Sequence, residues 1–208
     1  MRPDDVLIVA DLQNDFLPGG ALGVPHGDEV IAPINGLVER FQHVVLTQDW
    51  HPPGHVSFAS SHPCYRPGDT IVLPDGSEQL LWPDHCLQGS VGAAIAASLA
   101  ADRAELVIRK GYRASLDSYS AFIEADRRTG TGLAGYLRER GLRRVIVAGL
   151  ATDFCVAFTA IDAARSGFET LLVFDASRPI DRDGSLNRAL RECAAAGVEL
   201  VGSASLPA

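Results

Sequence analysis

The chain has no apolar run near the roughly 20 residues that a membrane-spanning helix needs. Its first residues, Met1-Arg2-Pro3-Asp4-Asp5, carry acids and lead directly into a β-forming run, so a cytosolic protein is expected. It also lacks any cluster of Lys or Arg. With 18 basic against 26 acidic residues and a net charge of −8, a nucleic-acid or anionic-membrane surface is not expected. Small molecules are the expected partners, and a homo-oligomer is left open. No disulfide framework is present: Cys64, Cys86, Cys155 and Cys193 are scattered, which predicts reduced thiols and leaves only a Cys64–Cys86 pair open. Linkers, repeats and low-complexity tracts are absent. At 208 residues the chain is long enough for one sizeable core and short for two, so residues 1–208 are expected to form a single α/β domain.

What is present is an alternation of short apolar runs with amphipathic segments. Strands are expected at Val6 to Ala10, Val44 to Thr47, Leu106 to Arg109, Val145 to Ala148, Thr170 to Phe174 and Val198 to Val201. Such near-continuous runs suit parallel strands covered on both faces. Helices are expected around Ile34, Leu37, Val38 and Phe41, then at Val91 to Leu99, Leu133 to Arg140, from Cys155 to Gly167, and at Leu186 to Ala196. This order predicts a three-layer α/β/α, doubly wound, Rossmann-like fold with a mainly parallel six-stranded sheet. Residues 50–90 break the rhythm. They are rich in proline and histidine and carry one hairpin signal, Thr70 to Leu73 and Gln79 to Leu81 around Pro74-Asp75-Gly76. A segment of that length is expected to be functional, as an insertion that binds metal.

Ligands in open parallel sheets bind at the carboxyl ends of the strands. Asp11 follows the first expected strand, Asp49 and His51 the second, Lys110 the third and Cys155 the fourth, so all should meet at one sheet edge. Cys155 falls in the first turn of its helix, with Thr152 or Asp153 as N-cap, where the helix dipole should ease ionisation of the thiol. A lone cysteine would read as a small buried hydrophobe. Beside Asp11 and Lys110 it reads as a nucleophile, with the carboxylate moving the proton and the ammonium keeping the carboxylate ionised. In an extended chain Asp49 and His51 share a face and can share a metal ion. The third ligand is open among His55, His62 and His85, with His85 preferred.

These residues stand in an ordered set of motifs. The set comprises Asp11-Leu12-Gln13-Asn14-Asp15-Phe16, Pro18-Gly19-Gly20-Ala21-Leu22, Thr47-Gln48-Asp49-Trp50-His51-Pro52-Pro53-Gly54-His55, Trp82-Pro83-Asp84-His85-Cys86, Lys110-Gly111, Asp117-Ser118-Tyr119-Ser120-Ala121-Phe122 and Gly149-Leu150-Ala151-Thr152-Asp153-Phe154-Cys155-Val156. Together they resemble the nicotinamidases (pyrazinamidases) of the isochorismatase-like hydrolase superfamily. The resemblance implies hydrolysis of nicotinamide to nicotinate and ammonia in NAD salvage, through a cysteine thioester, with pyrazinamide also accepted. It implies Cys155 as nucleophile, Asp11 as general acid/base and Lys110 as its electrostatic partner. It further implies Asp49, His51 and His85 as ligands of one divalent metal, zinc first and iron or manganese as alternatives, with His55 a second-rank ligand. Phe16, Trp82 and Tyr119 match the walls of a ring pocket, and Leu150-Ala151 matches a cis peptide that turns the N–H groups of Ala151 and Cys155 into an oxyanion hole.

Competing readings are weaker. A ureido or carbamoyl amidohydrolase of the same superfamily would share Asp11, Lys110 and Cys155 but generally lacks the Asp-x-His metal motif. Isochorismatases proper lack the cysteine. A dinucleotide-binding module would need Gly-x-Gly-x-x-Gly, and Gly19-Gly20-Ala21-Leu22-Gly23 lacks that spacing. A noncatalytic metal protein leaves Asp11, Lys110 and Cys155 unexplained.

Overall fold

The computed structural model describes residues 1–207. Six strands form one sheet: β1 (Asp5–Ala10), β2 (His43–Asp49), β5 (Leu106–Lys110), β6 (Arg144–Leu150), β7 (Glu169–Arg178) and β8 (Glu199–Val201). Their order is β5-β2-β1-β6-β7-β8, and every pairing is parallel. Strand alternation sends Leu7, Val9, Leu46, Ile146 and Ala148 to one face, and Val6, Ile8, Val45, Val145 and Val147 to the other. The first face is covered by Ile34, Leu37 and Val38 of α1 (Ile31–Val38). The second is covered by α2 (Leu133–Glu139), α3 (Ala157–Arg165) and α4 (Ser185–Ala195), through Leu133, Leu137, Ala160, Ile161, Ala189 and Cys193. The expected three-layer parallel fold is therefore present, and among the described residues no helix is long and apolar enough to cross a membrane.

The chain winds from β1 through β2 to β5 on one side, then from β6 through β7 to β8 on the other. The winding reverses between β1 and β6, which places a ligand crevice beyond their carboxyl ends. These two strands approach closely at Ala10 and Gly149, which are register partners. A Cβ on Gly149 would lie 2.2 Å from the Ala10 carbonyl oxygen, and its φ of +124° suits only glycine.

One expectation fails. Residues Val91 to Leu99 form no helix; the crossover from β2 to β5 is irregular there. Its backbone is committed elsewhere, because Asn14 N donates to Ala94 O, Asp15 N to Gly92 O and Ala96 N to Leu12 O at 2.9–3.0 Å. Gly92, Ala93 and Ala96 are small enough to allow that approach. The Cys64–Cys86 pairing that the sequence left open is not formed: all four cysteines are free, Cys64 exposed and Cys86 buried. The expected hairpin is present as β3 (Thr70–Val72) and β4 (Glu78–Leu80), closing a small apolar cluster of Ala59, Ile71 and Leu81 within the segment after β2.

Candidate active site

Asp11 follows β1, Asp49 ends β2, Lys110 ends β5 and Cys155 lies five residues beyond β6, all at the carboxyl edge. Lys110 is the only lysine in the chain and is wholly buried. β5 and β1 are not neighbours, yet the long lysine stem crosses β2 to bring Nζ to 2.8 Å from Asp11 Oδ2. The same ammonium donates to Asp49 Oδ1, to the Ser118 carbonyl at 3.1 Å and to Cys155 Sγ at 3.3 Å. Thr47 fixes the other side of Asp11: its hydroxyl donates to Oδ1 and accepts from the Asp11 amide at 3.0 Å. Asp11, Asp49 and Cys155 each offer a polar atom within 4.8 Å of the others.

Burial dominates the charges here. It raises the Asp11 carboxyl above the usual range, with Lys110 opposing and Asp49 reinforcing the rise. Burial also pulls Lys110 down, but Asp11 and Asp49 outweigh it and hold the ammonium charged. For Cys155, burial pushes the thiol well above its ordinary value despite Lys110. This corrects the expectation that its place in a helical first turn would ease ionisation. The turn itself differs as well. Residues Thr152–Val156 form a π-helical turn closed by Val156 N donating to Ala151 O at 3.1 Å, and neither Thr152 nor Asp153 caps it. The Leu150–Ala151 peptide that precedes it is cis.

His51 Nδ1 bonds the Gly111 carbonyl and His85 Nδ1 the Pro83 carbonyl, each at 2.8 Å. As carbonyls only accept, both Nδ1 atoms carry a proton, which leaves Nε2 as the nitrogen each ring can turn to a metal. The Nε2 atoms face Asp49 Oδ2 at 3.5 and 3.9 Å. A carboxylate and two oriented imidazoles within 4.8 Å of one another suit a divalent ion such as zinc, with further positions open. Burial, reinforced by His51, pushes His85 down to about 4, so its ring is neutral at pH 7. Burial would raise Asp49, yet Lys110 and His51 outweigh it and keep the carboxylate ionised. Gly111 must be glycine, since a Cβ would lie 2.4 Å from His51 Cε1.

The remaining histidines stand apart. His55 is buried with Nδ1 on Ser57 Oγ at 2.7 Å and Nε2 on the Leu116 carbonyl at 3.3 Å, and it groups with His51 and Asp117 rather than with Asp49. His62 bonds the Val56 carbonyl.

A narrow cleft opens beside these groups. Phe16, Trp82, Tyr119, Ala151 and Cys155 line it, and Trp82 Nε1 donates to Tyr119 Oη at 2.9 Å. Leu22, Asp117, Phe154 and Ile180 also line it and had not been singled out. Nor had Gln13 and Thr47. Gln13 clamps Asp49, donating to its carbonyl and accepting from its amide, both at 2.8 Å. All except Ile180 lie inside the quoted motifs, so their position was the signal. Ile180 carried none.

The isochorismatase domain family matches residues 5–205. A nicotinamidase of Acinetobacter baylyi is 52% identical over 96% of this chain and 93% of its own length. A crystal structure of PnC1 from L. infantum in complex with nicotinate is 42% identical, covers 100% of this chain and 97% of that one, and has a TM-score of 0.87. A pyrazinamidase of Pyrococcus horikoshii in complex with zinc is 36% identical, covers 96% and 99%, and has a TM-score of 0.77.

Proposed function

The chain belongs to the isochorismatase family, and from that premise we propose that it hydrolyses nicotinamide to nicotinate and ammonia in NAD salvage and accepts pyrazinamide. The observation that carries this reading is the convergence of Asp11 and Cys155 on one buried lysine, beside a carboxylate and two imidazoles whose Nε2 atoms face inward. The whole chain acts as one domain, with residues 50–90 as its metal-holding insertion. The free thiols fit a cytosolic enzyme.

In the reaction Asp11 takes the proton from the Cys155 thiol, and Sγ attacks the amide carbon. A buried carboxyl whose affinity for protons is raised suits that exchange. The oxygen charge that develops falls to the N–H groups of Ala151 and Cys155, donors of a kind worth about 2.7 to 4 kcal/mol each in acyl transfer. Asp11 then returns the proton to the departing nitrogen, which leaves as ammonia, and a thioester remains. Water attacks the thioester with Asp11 again as base; the Cys155 sulfur departs and takes that proton from Asp11, and nicotinate is released. Lys110 keeps Asp11 ionised between these transfers. Asp49, His51 and His85 would hold one divalent metal, zinc first and iron or manganese as alternatives, which supplies a fixed point that orients the pyridine ring. The zinc in the Pyrococcus horikoshii relative supports that assignment. His55, with both nitrogens engaged, takes no part in the set.

The test measures ammonia release from nicotinamide, pyrazinamide and a ureido acid before and after chelation. Turnover of the two pyridine-type amides, reduced by chelation and restored by zinc, is expected. Preferential hydrolysis of the ureido acid, untouched by chelator, overturns the reading in favour of the related amidohydrolases.

A further inference from the structure

Asp153 sits two residues before Cys155, is buried, and takes no part in the proton exchange. Its carboxylate is turned away from its own helix toward the segment that leads from β7 into α4. Oδ1 accepts from the Ile180 amide at 3.0 Å, and Oδ2 accepts from the Asp181 amide at 2.8 Å and from the Ser185 hydroxyl. Asp181, Asp183 and Gly184 all have positive φ, so the segment is sharply folded and carries little regular backbone pairing of its own. Arg182 adds a second tie by donating to the Gly68 carbonyl at 2.7 Å. Ile180 is the residue of this segment that lines the substrate cavity, alongside Cys155 and Phe154.

We infer that Asp153 is a positioning residue that sets ring selectivity by locking Ile180 as a cavity wall against the turn that carries Cys155. This rests on the proposed hydrolysis of nicotinamide and adds its specificity determinant. Three donors on one carboxylate fix both the height and the direction of the Ile180 backbone relative to the nucleophile, because charge-assisted hydrogen bonds are short and directional. An asparagine in this place keeps one acceptor oxygen and turns an NH2 toward donors. At least one of the three bonds is then lost, and the wall relaxes.

The test compares wild type, Asp153→Asn, Ile180→Ala and the double variant on nicotinamide and on its ring-methylated analogues. One methyl group excluded by an apolar wall gives discrimination on the order of 10–200-fold. Asp153→Asn and Ile180→Ala are each expected to reduce the wild-type discrimination about tenfold at the same ring position, with no further loss in the double variant. Unchanged discrimination in Asp153→Asn, or effects that add in the double variant, overturns the inference. Ser185→Ala, which removes a single donor, takes the place of Asp153→Asn if that variant does not fold. A substrate-free readout separates this from the functional reading: alkylation of Cys155 by iodoacetamide and by its N-phenyl derivative, followed by mass analysis of the Cys155 peptide. The bulky reagent should gain on the small one in Asp153→Asn even if nicotinamide proves not to be the substrate, and an unchanged ratio also overturns the inference.

Discussion

Exchanging Lys110 for methionine keeps most of the stem and deletes the charge on which four groups converge. The contact with Asp11 Oδ2 is 2.8 Å, and at an effective dielectric of about 20 its Coulomb energy is about 6 kcal/mol. Desolvation of the ammonium offsets part of that, and removing one partner from a buried pair costs about 3–5 kcal/mol. The loss in folding stability should fall at or below that range, because Asp11 can take up a proton instead of remaining a lone buried anion. Protonation limits the structural damage and removes the base. Burial already raises the Asp11 carboxyl, and Lys110 is the main influence holding it down. Without the ammonium the ionised fraction at neutral pH falls, and the activity limb moves to higher pH. Ammonia release at pH 7 should drop by about 10²–10⁴-fold, the usual worth of a positioned base, and recover partly as pH rises.

The assay is a pH–rate profile for wild type and Lys110→Met, with bound metal measured in both. Metal analysis is needed because Asp49 also loses a partner. A variant within tenfold of wild type at pH 7 refutes the argument. So does one slowed equally at every pH with its metal retained, since that loss would not come through Asp11.

Cys155→Ala should abolish turnover while keeping metal, because Sγ is not among the three inward-facing donors of Asp49, His51 and His85; metal analysis beside an ammonia assay checks this. Asp5 makes two bonds to Arg144, at 2.7 and 2.6 Å, joining the starts of β1 and β6, and Asp5→Asn should cost about 3 kcal/mol in denaturant unfolding at pH 7. Burial would raise that carboxyl, but Arg144 and Arg2 hold it below the ordinary 3.8; its contribution is therefore full above that value and lost as pH falls through the lower folded value, so the gap between wild type and variant should close in acid. Gly149→Ala should force β1 and β6 apart at Ala10, costing more than about 3 kcal/mol, or about 6–12 °C in Tm for a chain of this size; an unchanged melting curve would contradict the contact.

The sheet was legible because its strands are covered on both faces, so nearly every residue of β1 and β6 had to be apolar. From strand ends alone, Asp11, Asp49, Lys110 and Cys155 could be placed on one edge. The helix expected at Val91 to Leu99 failed because helical spacing of small apolar residues also describes an irregular segment laid against residues 12–15. In that case the backbone partners, not the side-chain period, decide the conformation. Gln13 and Thr47 were missed as supports because their action is on backbone and carboxyl atoms of residues 36 positions away or more. Ile180 was missed because an apolar residue after a strand carries no signal until the segment's fold is known.

The correction at Cys155 has the widest consequence for the chemistry. A local rule, cysteine in a helical first turn, predicts an eased thiol; the three-dimensional surroundings bury the sulfur beside two carboxylates and reverse the direction. A nucleophile held as a neutral thiol depends on an external base, and among the described residues the carboxylates grouped with it are Asp11 and Asp49. Asp49 is held ionised by Lys110 and His51 and faces the two imidazoles, which removes it from proton exchange. Asp11, with its raised proton affinity and its contact to the single lysine, is the remaining candidate. The division of labour between two nearly adjacent carboxylates thus follows from which neighbours each one faces, and that division is what the Lys110→Met profile measures.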